Sequence, residues 1–260
     1  MQPSSIAGIN RLPYNEKREI YNRSIPPELL DRFHLNPYLV DETGNDLLVI
    51  NGPAGSNSVE MSLYHQIGFR DPILYGHFSD TLNGRIHILL YIMNDPEAIR
   101  FDVDRLEDGT ATMFGTHKRN LEAEMGAMEA GLCPGQIRQG LHLASSARET
   151  FDEFIANLGH DRYFVEPLYY HNATIFERYG FAYQSGRKRM EKIHARFTDQ
   201  GELLEKLDGS PFRSSAAANS IRLRSWAIHD GILGEAFTNV TMYKIIGKDA
   251  GINTAPGCKW

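Results

Sequence analysis

The chain has 260 residues, 42% of them apolar, enough to bury a sizeable core in one large domain or in one domain with extensions. Its 33 acidic and 27 basic residues give a formal charge of −6, which argues against a dedicated nucleic-acid binder, because phosphate recognition needs a basic surface. The two cysteines, Cys133 and Cys258, lie far apart without metal-ligand spacing and suit a reducing, cytoplasmic compartment. No signal-peptide-like run opens the chain, and no window approaches the roughly 18 apolar residues of a membrane span.

Residues 1–45 are polar and interrupted by Pro3, Pro13, Pro26, Pro27 and Pro37. They read as an arm with one short helix over 26–33, whose prolines fall in a first helical turn, where proline is tolerated. Asp46 to Ile50 is a buried-strand signal ended by NGPAGSNS. Ser58 is then placed to cap a helix from Val59 to Ile67, closed by Gly68-Phe69.

Ile73 to Phe78 and Arg85 to Ile92 flank Asn83-Gly84, a strong hairpin cue because both turn residues accept positive φ. Ile99 to Asp104 alternates apolar and polar residues and reads as a third strand of an antiparallel meander. Asn120 to Leu132 carries Leu121, Met125, Met128 and Leu132 at helical spacing. After Cys133-Pro134-Gly135, a longer helix is expected over 136–158.

The segment RYFVEPLYYHNATIFERYGFAYQ, residues 162–184, then gives a strand, a Pro break, a helix over 171–179, a Gly180 cap and a second strand. Arg187 to Arg196 is the most basic stretch; it reads as a solvated helix face over a stripe of Met190, Ile193 and Phe197, with attraction of an acidic ligand as the alternative. Val240 to Ile246 is a last strand. The whole is a mixed α/β pattern.

This order, with Asn172 opening the short helix and Phe176-Glu177-Arg178-Tyr179-Gly180-Phe181 closing it, resembles the GNAT N-acetyltransferase superfamily. The resemblance implies a GNAT-like core over 46–186 and a 187–260 extension that completes the sheet, with its final strand paired near the centre. It also implies transfer of an acyl group from acetyl-CoA or another acyl-CoA to a small-molecule or peptide amine by direct attack. In such proteins a loop and helix start hold the cofactor pyrophosphate on backbone amides. Here that role falls on Arg138, Gln139, Gly140, Leu141 and His142, with Asn172 added from the later helix. Ile137 stands at the loop's usual Arg or Gln position.

The family commonly has a Tyr that protonates the departing thiolate where this chain has Phe176, so Tyr169, Tyr170 or Tyr179 is left for that task, Tyr179 being nearest in sequence. Asp102 and Asp104, on one face of the expected strand, are candidates to take a proton from the acceptor amine. The alternative for both is a strand face salt-bridged to Arg100 or Arg105. His87 is a second candidate base or a hydrogen-bonded core residue. Two other readings remain open: a non-catalytic GNAT-like module for ligand sensing or protein interaction, and an unrelated α/β enzyme using the Asp102/Asp104 pair. An oligomer is compatible with all three, and no metal is expected.

Overall fold

In the computed structural model, residues 3–112, 118–198 and 201–260 are described. The architecture is mixed α/β. Strands β1 (Leu48–Asn51), β2 (Ser58–Leu63), β3 (Leu74–Asp80), β4 (Ile86–Met93), β5 (Arg162–Val165), β6 (Ala182–Ser185) and β7 (Thr241–Ile245) form one sheet in the order β1-β2-β3-β4-β5-β7-β6. The first four make an antiparallel meander, and β5 pairs parallel to β4. The last strand lies between β5 and β6, one position in from the sheet edge and not near the centre.

Helices are α1 (Ile6–Ile9), α2 (Tyr14–Asn22), α3 (Pro27–Arg32), α4 (Leu121–Glu129), α5 (Ala144–Asn157), α6 (Tyr170–Arg178), α7 (Arg187–Arg196) and α8 (Ile221–His229). Among the described residues no helix is long and apolar enough to cross a membrane. The chain divides into two compact units. The first holds the described residues up to 97 with 140–165 and 243–248; the second holds those of 98–139, 166–242 and 249–260.

In the first unit, SVEMSL of β2 alternates polar and apolar residues, and Val59, Met61 and Leu63 are buried. The expected helix over 59–67 is therefore a strand. Its period of two matches both neighbours, with Met61 opposite Ile50 on one side and Gly76 on the other. Gly76 makes room for the core: a Cβ there would come within 2.7 Å of the Phe78 ring. Phe78 is fully buried, with ring centroids 5.2 Å from Phe151 of α5, which also meets Tyr163 of β5 at 5.2 Å. The Ser24 hydroxyl, just past α2, meets the Met61 sulfur at 3.4 Å on the same face. The expected arm with one helix instead carries α1, α2 and α3, which bury Ile6, Ile9, Tyr21 and Leu29.

In the second unit the expected strand over 99–104 is a turn. Arg100 bonds the carboxylates of both Asp102 and Asp104, which curls the segment, and the Phe101 amide donates to the Ile137 carbonyl at 2.8 Å. Val103 joins a core cluster with Ala127, Leu132, Ile137, Phe212 and Trp226. The long helix expected from 136 starts only at Ala144. Upstream, Gly135 at φ 81° turns the chain, and the Gln136 side chain accepts from the Cys133 amide at 2.7 Å. The basic α7 buries Met190 and Ile193, with Phe197 at its end, as its sequence predicts.

Candidate functional site

Strand β4 is not fully buried. After buried Ile86, every residue from His87 to Met93 is half-buried, although the run Ile88 to Met93 is apolar or aromatic throughout. Two irregularities meet there. His77 of β3 pairs with Leu90 and Phe78 with Ile88, so Leu89 is an extra residue, a β-bulge that bends β4. On the other side β5 pairs only through His87↔Phe164 and Ile88↔Val165. Beyond Ile88 no other strand pairs with that side of β4 among the described residues.

The orientation of this edge follows from the ladder. The Asn94 amide donates to the Ile73 carbonyl at 3.0 Å, so in antiparallel alternation Ile92 and Leu90 exchange bonds with β3. Tyr91 and Met93 then direct their N–H and C=O groups away from β3, toward the side that β5 has left. The result is a short strand edge to which no other strand pairs among the described residues.

The chain re-enters this unit at the end of β4, where a Cβ on Gly140 would stand 3.6 Å from the Met93 carbonyl. Leu141 is buried, and its carbonyl accepts from Arg32 Nη1 at 3.2 Å. His142 takes positive φ, 59°. Helix α5 follows, with no acidic residue in its first turn and no side-chain cap, so its leading amides and positive dipole end suit an anion. Glu28 already reaches that turn and accepts from the Ser146 hydroxyl. That bond is the first cause holding the Glu28 carboxyl below its ordinary value. Arg32 also meets the Asp95 carboxylate at 3.2 Å.

On the sheet face opposite the core, β2 and β3 carry a polar ladder. Ser58, Glu60 and Ser62 stand beside Tyr75, His77 and Ser79, all half-buried. The Ser58 hydroxyl lies 2.8 Å from His77 Nε2 and 3.4 Å from the Phe78 carbonyl. Burial, then the charge and hydrogen bond of Glu60, push the Tyr75 hydroxyl up to about 12. Sequence reasoning missed this ladder because it read β2 as a helix; the alternation of SVEMSL was the available signal.

Apart from His87, which lies in β4 of the first unit, the remaining predicted residues belong to the second unit. Arg138 donates to the Ala98 carbonyl, and Gln139 precedes the crossing to the first unit. Asp102 and Asp104 are held by Arg100, the alternative read from sequence, and Arg105 adds a contact to Asp104 at 3.7 Å. Asn172 Oδ1 accepts from the Tyr169 amide at 3.1 Å, so it caps α6. Tyr179 ends that helix, and Gly180 follows at φ 77°. The Phe176 ring packs on Phe181 at 5.0 Å.

A second polar group is sealed in this unit. Glu124 accepts from His229 at 3.0 Å and from Arg119 Nε at 2.7 Å, while Asp230 bridges Arg119 at 2.7 Å and Arg213 at 2.8 Å. Burial alone would raise the Glu124 carboxyl; bonds and charges from His229 and Arg119 outweigh it and hold the group low. Tyr169 stacks on His171 and meets His229 edge-on, with centroids at 5.6 and 5.5 Å, and His171 Nδ1 meets the Ser225 hydroxyl at 2.8 Å. Burial, with the charge of His229 behind it, pushes His171 down to about 3. A base so weakened and enclosed serves packing better than proton transfer at neutral pH. Among the described residues no group of three or more His, Cys, Asp or Glu is placed to hold a metal ion.

No family model, curated protein or solved structure matches the chain.

Proposed function

We propose that the protein is a GNAT-like acyltransferase that moves an acyl group from acyl-CoA to an amine by direct attack. The observation that carries this reading is β4, a central strand that bulges at Leu89 and loses its parallel partner after Ile88. An extended ligand arm with spaced amides can pair with the outward N–H and C=O groups of Tyr91, as an added strand does. Leu90, Ile92 and the bulge wall supply an apolar setting in which attack on a thioester competes well with water. The position of β7 inside the sheet, the α6 motif around Asn172 and Gly180, and the α5 start beside Arg32 support the same reading. Bound acyl-CoA would supply the activated thioester; the chain supplies orientation.

Phe176 favours a second reading, a non-catalytic ligand-sensing module of the same fold, because it puts an aryl ring on Phe181 where the family commonly has a proton donor.

Thermal unfolding with graded acetyl-CoA and free coenzyme A tests the proposal, since a ligand that binds only the folded state must raise the midpoint by mass action. A concentration-dependent rise, reduced in Gly140→Asp and Arg32→Ala, is expected. No rise at millimolar ligand overturns both readings, and binding without any acyl transfer selects the second.

A further inference from the structure

We propose that His77, held by Ser58 on the half-buried polar face of the sheet, is the general base that takes the proton of the acceptor amine. This inference rests on the acyltransferase reading, and its geometry is independent of the cofactor loop. His77 is the residue opposite the bulge: Leu89 and Leu90 together face it across the strand pair. A bulge bends its strand and re-aims what lies beside it, and the bulge at Leu89 stands directly across the strand pair from His77. The imidazole is half-buried on a face that presents polar groups, in contrast to the core face, where Phe78 is fully buried.

We assign His77 the tautomer in which Nδ1 is the basic nitrogen. When the Ser58 hydroxyl donates to the Phe78 carbonyl, its oxygen accepts from His77 Nε2–H at 2.8 Å. The lone pair then stands on Nδ1. The groups around His77 are Glu60 directly opposite on β2, Tyr75 and Ser79 on its own strand, Leu89 and Leu90 on β4, and His87 opposite Ser79. Glu60 is engaged by the Tyr75 hydroxyl. In the step, the amine nitrogen bonds to the thioester carbon, its proton passes to Nδ1, and the carbon–sulfur bond breaks. Coenzyme A leaves as a thiolate that takes a proton from solvent, and the imidazolium returns its own to solvent. Ser58 is a positioning residue in this scheme.

The test follows release of coenzyme A thiol from acetyl-CoA with n-butylamine as the probe acceptor, from pH 5.5 to 9, alongside acetyl-CoA binding by thermal shift. His77→Gln, which keeps a polar side chain of similar reach, is expected to bind acetyl-CoA as the wild type does and to lose about 10²-fold to 10⁴-fold in amine-dependent rate. The low-pH limb of the wild-type profile should vanish with it. Ser58→Ala should lose less and keep a displaced limb, and Glu60→Gln should keep the limb. A folded His77→Gln variant with an unchanged rate and profile overturns the assignment, as does wild-type binding without any amine-dependent release. Absence of acetyl-CoA binding in the wild type instead removes the acyltransferase reading itself.

Discussion

Two serine–histidine pairs in this protein have the same hydrogen-bond length and opposite settings. Ser58–His77 and Ser225–His171 both close at 2.8 Å, but the first lies half-buried on a polar sheet face and the second is sealed, with His171 3% exposed and Ser225 1%. Burial removes solvent from the imidazolium, and the neighbouring His229 adds to the penalty, so His171 stays neutral at every physiological pH. His77 instead stands half-buried in a ladder of polar side chains. Solvent access, more than the hydrogen bond, separates a pair that can exchange protons from one that holds helices together.

The largest effect should come from opening the sealed group. Glu124→Ala leaves Arg119 and His229 without their shared carboxylate in a site where Glu124 is 1% exposed, and a broken buried pair of this kind costs about 3–5 kcal/mol. Denaturant unfolding at neutral pH should show that loss.

His171 should also imprint a pH dependence on stability. Its folded value, about 3, lies below the ordinary 6.5, so between the two the unfolded chain holds a proton that the native chain lacks. The contribution is therefore complete above about pH 6.5 and falls with acidification by up to about 1.4 kcal/mol per pH unit. His171→Gln should flatten that acid limb in unfolding measured between pH 4 and 7. An unchanged limb would mean that His171 is hydrated in solution.

On the polar face, Ser58→Ala and His77→Gln should each change stability by about 1 kcal/mol or less, because water can replace the lost partner. A larger loss in denaturant unfolding would show that the ladder is a buried structural element, and the contrast between the two pairs would fail.

The same contrast governs what could be read from the sequence. The β3–β4 hairpin was legible because Asn83-Gly84 acts locally, and β5, α6 and β7 because their apolar runs end at Pro or Gly signals. The stripe Met190, Ile193 and Phe197 was legible because helical periodicity survives wherever one face is buried. Strand β2 was misread because Ser58 resembles a helix cap, and the cross-strand partners Ile50 and Gly76 that fix its period are not local. The turn at 99–104 was misread for a related reason: Arg100 clasps Asp102 and Asp104, and alternation of charge imitates a strand. The bulge at Leu89 has no sequence signal in ILLYIM, since it arises from register against β3 and from the early end of β5.

The most direct test of the central claim is therefore deletion of Leu89. Removing the extra residue lets Ile88 and Leu90 pair with Phe78 and His77 in regular succession, which straightens β4 without reversing which side chains face the core. Acetyl-CoA titrated calorimetrically into the wild type and the deletion variant should give binding in the first and none in the second, with cooperative unfolding in both. A folded deletion variant that binds acetyl-CoA as the wild type does would contradict the account.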